Sequence, residues 1–576
     1  MTPRRITVVA SELLGRAGTG GAGTADSLLA VALGRHGHDV ELLVASGRAI
    51  GPLNERWTRI YADAAVGVRI LERRADVQPA FLVPAYEVYE ALRERPPDVA
   101  IVNDWRGLGF CALRARQCGV ALDETAFVVH CHGPGRVLTA FAQKVPNTVE
   151  RFGEQVAEQG SLALADAVVS PSRWLLDWMR DHRWPVARDA RVIQYLRQST
   201  ALGDEPPRPA STGPIRRLAF FGQLREGKGI RIFLASLHAL EPSLVERVEL
   251  LFLGSASKRW TPERIVDAAP ESLRASARVE TALDRDAALE ELRRPGTLAV
   301  MPSLLDNSPN TLAECIEYGI PFVATATGGI PELVADADRD RVLCAPTATA
   351  LADTLRRALT AEHFAPARAA RKPQASLDAW LELVDTVRPA RAHDLEPTDC
   401  IVVRDENVEP DDALMDMLKA SVSASGADAV TCAVRSADGI RLFLGDPGAL
   451  GLLENHYGVV GLVRSSAARA AASPDDAVDP AWVLFARLAL DGATIVSVPH
   501  VLATHNGRPG RVDDVPGDGL AILEAFESSP APPSHDLPQL AATLGAALAS
   551  SRARDGGHDE RESSLLRRLK TSLRSD

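Results

Sequence analysis

The sequence predicts an α/β protein built on two successive Rossmann-like domains with parallel sheets, followed by a smaller α/β region. Three observations carry this. A chain of 576 residues is too long for one core and implies about three or four domains at roughly 150 residues each. Over the first 350 residues, short β-rich runs alternate with segments of helix length, the signature of βαβ units in a sheet covered on both faces. The alternation stops once, at "STALGDEPPRPASTGP" (residues 199–214), and then begins again. That Pro-, Gly- and Ser-rich stretch reads as a linker.

In the first series the strands are "RITVVAS", "DVELLVA", "DVAIVND", "AFVVHCH", "DAVVSPS" and "RVIQY". In the second they are "RRLAFFGQL", "VELLFLG", "TLAVMPS", "PFVATATG" and "RVLCAP". The segment "SLDAWLELVDTV" then has apolar residues at helical spacing. From about residue 394 the sequence changes character. The expected division is a first domain over 1–198, the linker over 199–214 and a second domain over 215–373. A helix and linker over 374–393, a third region over 394–525 and a weakly ordered polar tail over 526–576 complete it.

Composition narrows the partners. The formal net charge is −12 and no basic stripe is formed, which argues against nucleic acid. Seven cysteines are scattered with no C-x2-C pair, so they indicate neither a zinc site nor a disulfide framework, and a reducing cytoplasm is expected. The first apolar run soon meets Glu12 and reads as a strand, not a signal peptide. No stretch approaches the roughly 18 apolar residues that span a bilayer. The leucines of "SSLLRRLKTSLRSD" leave open a peripheral membrane contact, beside the simpler reading of a solvated terminal helix.

"GTGGAG", residues 18–23, has the form G-x-G-x-x-G. In a dinucleotide-binding unit such glycines directly follow the first strand, and an acid ends the second. Here eight residues, "SELLGRAG", intervene, and "DVELLVASG" carries its acids at its start. NAD or FAD binding is therefore disfavoured. The glycines suit instead a loop whose N–H groups, with a helix starting from Thr24, approach an anion or a hydroxyl-rich ligand. Together with "SLLAVALGRHGHDV", the stretch resembles the amino-terminal G-G-x-G loop and helix of family 4 glycosyltransferases.

The resemblance continues through residues 5–388. "DVAIVNDWRGLG", "VVHCHGPG" and "AEQGSLALADAVVSPSRWLLDWM" match first-domain segments of that family. In the second domain, "FFGQLREGKGI" (220–230) resembles its G-R-L-x-x-x-K-G turn. "MPSLLDNSPNTLAECIEYGIPFVATATGGIPELV" (301–334) resembles its P-S-x-x-E-x7-E signature and the following G-G-x-P-E. The resemblance implies a GT-B fold, with two Rossmann-like domains facing across a cleft and "SLDAWLELVDTV" crossing back to the first. It implies transfer of a sugar from a nucleotide donor with retention of configuration and no required metal or other cofactor.

Carried onto this sequence, the family's pattern gives Lys228 and the backbone of Ser308, Pro309, Asn310, Thr311 and Leu312 to the donor diphosphate, Asp306 to sugar hydroxyls, Glu314 to the ribose and His132 to the donor sugar. Gly21, Gly23, Gln223, Arg225 and Asn307 join the donor side, and Asp104 and Trp105 the acceptor side. Two departures stand out. Gln223 occupies the place of an arginine, removing a charge-assisted contact worth about 1.5–3 kcal/mol, with Arg225 a candidate substitute. Asp306 is one methylene shorter than the family's glutamate, and a shift of about 1 Å at such a contact costs on the order of a hundredfold.

The third region resembles the second half of a family 2, GT-A type, glycosyltransferase domain, with "RDEN" (Asp405, Asn407) where that family has its D-x-D metal site. No room remains for the first half, so a degenerate appendage is expected, serving an acceptor, a partner or a dimer contact. The expected partners are a nucleotide sugar and a glycan, lipid-linked or small-molecule acceptor. The alternative is a catalytically inactive pseudo-glycosyltransferase that binds nucleotide or glycan, or scaffolds another subunit.

Overall fold

The computed structural model describes residues 2–507 apart from 17–18, 46–50, 142–147, 206–208, 210–212, 247, 391–392, 394, 396–398, 453 and 471–480. Gly18 and the tail expected over 526–576 lie outside the described residues. The first domain contains β1 (Arg5–Ala10), β2 (Asp39–Val44), β3 (Val66–Ile70), β4 (Val77–Gln78), β5 (Val99–Asn103), β6 (Ala126–His130), β7 (Ala167–Ser170) and β8 (Ala190–Val192). Seven of these form one parallel sheet in the order β3-β2-β1-β5-β6-β7-β8. Side chains alternate across it. Ile6, Val8 and Ala10 pack beneath helix Gly21–Arg35, while Val9 joins the core formed with helices Val83–Glu94 and Phe110–Gln117.

The second domain contains β9 (Arg217–Phe221), β10 (Glu249–Leu253), β11 (Ala277–Glu280), β12 (Thr297–Met301), β13 (Phe322–Thr325) and β14 (Leu343–Cys344), again parallel, in the order β11-β10-β9-β12-β13-β14. Leu218, Ala219 and Phe220 of β9 are all buried, as a central strand covered on both faces requires.

The stretch read as linker begins with a helical turn, Gln198–Leu202, because Ala201 and Leu202 are buried against the first domain's core. Helix Pro373–Thr386 returns to that same core through Leu377, Trp380, Leu383 and Val384, and Arg4 donates to Val387 O at 3.1 Å beyond its end. Asp166 ties the return to the sheet. Its carboxylate accepts from Phe127 N (2.7 Å), Ala390 N (2.7 Å) and the buried Arg116 guanidinium.

Replacing Asp166 by Ala leaves that guanidinium without its counter-charge, so urea unfolding of the variant is expected to show a loss of about 3–5 kcal/mol. The exposed pair of Arg191 with Asp189 provides the control, where Asp189→Ala should cost no more than about 1 kcal/mol.

The third region forms a mixed sheet from β15 (Cys400–Arg404), β16 (Val408–Pro410), β17 (Ala429–Ser436), β18 (Gly439–Arg441), β19 (Val460–Arg464) and β20 (Ile495–His505). It is not a free appendage. β4 of the first domain extends this sheet, with Val77 opposite Ile440 and Gln78 opposite Arg441. Ile440, Leu442, Leu444 and Leu450 share the core that holds Val77 and Phe81. Asp405 is occupied by the fold, its Oδ1 accepting from Ala481 N (3.0 Å) at the start of helix Ala481–Leu490. All seven cysteines are free thiols. Among the described residues no helix is long and apolar enough to cross a membrane.

Candidate functional site

In each parallel sheet the strand order reverses once, between β1 and β5 in the first domain and between β9 and β12 in the second. The crevice outside the carboxyl ends of such a pair is where open α/β sheets bind ligands. The segments quoted from the sequence leave the sheets at these points. They also meet across the domain boundary, where Asn310 Nδ2 donates to Gly21 O at 3.0 Å and Asn307 Nδ2 to His132 O at 3.3 Å.

The first wall begins with a correction. Helix Gly21–Arg35 starts three residues before Thr24, so Gly21 and Gly23 form its first turn and not a loop. Glu12 causes this. Its Oε2 accepts from Gly20 N at 2.6 Å, and a Cβ at Gly23 would lie 2.6 Å from Glu12 Cβ. Gly23 is thus a packing residue, while Gly21 sits at the domain boundary.

Five residues into the helix, the buried Asp26 faces two histidines. Its Oδ1 lies 2.8 Å from His130 Nδ1 and 3.0 Å from His132 Nε2, and its Oδ2 accepts from Asn103 Nδ2 at 3.2 Å. Tyr195 Oη lies 2.8 Å from His132 Nδ1. Both ring nitrogens of His132 are therefore engaged inside the first domain, and the ring has none left for the donor sugar that the resemblance assigned to it. Burial opposes charge on these rings. It drives the His130 pKa down to about 4, whereas the Asp26 carboxylate outweighs burial at His132 and raises its pKa.

Asp104 is likewise turned inward. It is fully buried and accepts from His132 N (2.9 Å) and Gly133 N (3.1 Å), so it shapes the His132 loop and does not face an acceptor. Trp105 remains half-buried, with the Arg106 guanidinium 5.0 Å from its ring centre.

On the second wall, Lys228 Nζ and Asp306 Oδ2 form an ion pair, joined by Ser303 Oγ at 3.3 Å from the same oxygen. The two loops are stitched together where Leu304 N donates to Gly227 O at 3.0 Å. Gln223 and Arg225 are both exposed. Helix Asn310–Glu317 begins at the domain boundary, where Asn310 meets Gly21. Pro309 has no N–H to offer and Leu312 N is directed at Pro309 O (3.2 Å), which leaves Ser308, Asn310 and Thr311 as the backbone donors of that turn. Ser308 itself is largely buried.

Glu314, one turn into the helix, is held by Arg285, whose Nε donates to Glu314 Oε1 at 2.6 Å and whose Nη1 donates to Gln198 Oε1 at 2.6 Å. Burial pushes the Glu314 carboxyl above its ordinary pKa, against the pull of that guanidinium.

Asn307, expected to contact donor, is buried and bridges the two domains, its side-chain carbonyl accepting from Ser172 Oγ. Glu332, in the G-G-x-P-E segment, caps a first-domain helix by accepting from Arg173 N (2.8 Å) and Trp174 N (2.9 Å). Asp26, Tyr195 and Arg285 were invisible to motif reading because each acts on a partner distant in sequence. A surface groove of about 490 Å³ beside helix Val83–Glu94, bounded by Arg69, Arg74, Glu87 and Glu90, is lined by none of the residues of this site.

Comparison with known proteins bears on the family and the fold. Residues 20–195 match the family described as "Glycosyl transferase 4-like domain", and residues 215–361 match "Glycosyl transferases group 1". Over this span the chain resembles the family 4 glycosyltransferases. In fold the chain also resembles the sucrose-phosphate synthase of Thermosynechococcus elongatus, at 18% identity and a TM-score of 0.50, over 66% of this chain and 96% of that one.

Among curated proteins, the chain is similar to the glycogen synthase of Alkalilimnicola ehrlichii, 33% identical over 186 residues, 30% of this chain and 35% of the relative. The chain is also similar to the glycogen synthase of Halorhodospira halophila, 26% identical over 229 residues, 34% of this chain and 46% of the relative. The chain thus matches less than half the length of either glycogen synthase. The expected GT-B architecture, two Rossmann-like domains facing across a cleft, is the fold observed.

Proposed function

We propose that the chain is a retaining glycosyltransferase that moves a sugar from a nucleotide-sugar donor to a polysaccharide, lipid-linked or natural-product acceptor. The observation that carries this is Lys228 at the second-domain switch point, paired with Asp306 in the loop that leads into helix Asn310–Glu317. An ammonium and helix N-terminal N–H groups on neighbouring loops suit the charge that develops on a departing diphosphate. In this reading Asp306 orients Lys228 and reaches the sugar hydroxyls, and Glu314 takes the ribose with Arg285 steadying its carboxylate. The transfer step calls on no metal.

A thermal-shift screen of UDP-, GDP- and ADP-sugars, followed by hydrolysis assays that read the anomeric configuration of the released sugar, tests it. Stabilisation by one donor, reduced in Glu314→Ala and accompanied by slow release with retention, is the expected result. Failure of every donor to bind or be hydrolysed ends the reading. The neutral Gln223 at the position of the family's arginine favours one second reading, a pseudo-glycosyltransferase, and binding without any hydrolysis or transfer would select it.

A further inference from the structure

The structure assigns a transition-metal site to Asp26, His130 and His132, in the first-domain wall of the cleft. One ligating atom from each of the three lies within 4.8 Å of the other two. Two imidazole nitrogens and one carboxylate oxygen are the donor set that zinc and its neighbours favour. The separations of 2.8 and 3.0 Å between Asp26 Oδ1 and the two nitrogens need only a few tenths of an ångström of expansion to admit an ion, given bonds of about 2.0–2.2 Å to each ligand.

The surroundings hold the ligands as a metal site would. Asn103 Nδ2 donates to the outer oxygen Asp26 Oδ2, and Tyr195 Oη faces His132 Nδ1, which fixes Nε2 as the nitrogen presented inward. When Tyr195 directs its own O–H toward Cys131 O, 3.5 Å away, its oxygen accepts from His132 Nδ1–H. Nε2 then faces a carboxylate oxygen 3.0 Å away, a contact bridged either by a proton on Nε2 or by a metal ion between the two atoms. Such outer partners set ligand tautomer and orientation in metal sites.

Charge balance points the same way. Asp26 and Asp104 bring two carboxylates into this wall at 1% and 0% exposure. Among the described ion pairs, Asp26 meets only the two histidines and Asp104 meets no lysine or arginine. Buried carboxylates are stabilised by a partner cation, and a divalent ion would supply that charge in place of the proton on His132. The ion would brace the β6 loop that carries His132, whose carbonyl receives Asn307 from the other domain. Its role is separate from the diphosphate chemistry, and the inference stands whether or not the chain transfers sugar.

Zn2+ and Co2+ titrations of the full chain after chelator dialysis, followed by calorimetry, elemental analysis and the visible absorption of Co2+, provide the test. The expected result is one equivalent per chain with a raised melting temperature. Binding should be lost in Asp26→Asn and His130→Ala and weakened roughly 10- to 100-fold in Tyr195→Phe, as for other outer partners. Circular dichroism checks that the variants are folded, and Asp26→Asn keeps an oxygen acceptor for both rings should His130→Ala fail to fold. Absence of stoichiometric uptake by the folded wild type overturns the site and leaves a hydrogen-bonded Asp–His–His network. Uptake that is undiminished in folded Asp26→Asn also overturns it, by placing the ion elsewhere.

Discussion

Lys228→Ala is expected to weaken binding of the nucleotide-sugar donor by roughly 10- to 100-fold, the equivalent of one charged hydrogen bond worth about 1.5–3 kcal/mol. The side chain is 24% exposed and its ion-pair partner is Asp306, so the fold should tolerate the change. Isothermal titration with the donor found in the screen, beside a denaturation curve, separates the two effects. Lys228→Arg tests the geometry, because it restores the charge as a planar fork in place of a compact ammonium, and only partial recovery is expected. Donor affinity unchanged in Lys228→Ala, with the screen otherwise positive, would remove Lys228 from the site while leaving the broader functional reading intact.

Gly328→Ala is expected to damage the same site from beneath. The residue has φ +58°, and a Cβ would lie 1.9 Å from Asp306 O. The backbone conformation alone costs of order 1–3 kcal/mol for a residue other than glycine, and the clash can be relieved only by moving the peptide that carries Asp306. A shift of about 1 Å there should lower turnover on the order of a hundredfold.

Two other glycines dissect the effect. Gly37, at φ +89° with nothing within 4 Å of its Cβ position, isolates the backbone term. Gly227, with nothing within 4 Å and no positive φ, should accept Ala almost silently. If Gly328→Ala matched Gly37→Ala in both stability and turnover, the support of Asp306 by this glycine would be wrong.

The central strands were legible because they are unbroken apolar runs, such as the fully buried Val99–Asn103. β3 and β11 were not, since their partly exposed residues give neither a clean alternation nor an apolar run. β4 is two residues long and exists as a strand only because Ile440 and Arg441 pair with it. In the site, Lys228 and Asp306 were found from their motifs, and the structure brings them together from 78 residues apart. Asp26 sits 106 residues from His132, in a helix whose local pattern gives no reason to single it out.

By itself, the sequence determined the two parallel sheets, their switch-point segments and the side chains most suited to a diphosphate, because apolar periodicity, turn residues and short motifs act over a few neighbours. Only the tertiary structure decided that Asp104 and Asn307 face inward, that His132 is spent on Asp26 and Tyr195, and that Arg285 holds Glu314. It also decided that the third region shares a sheet and a core with the first domain. Each of these depends on which buried polar groups find partners when distant segments meet, and burial makes an unpartnered one too costly to keep.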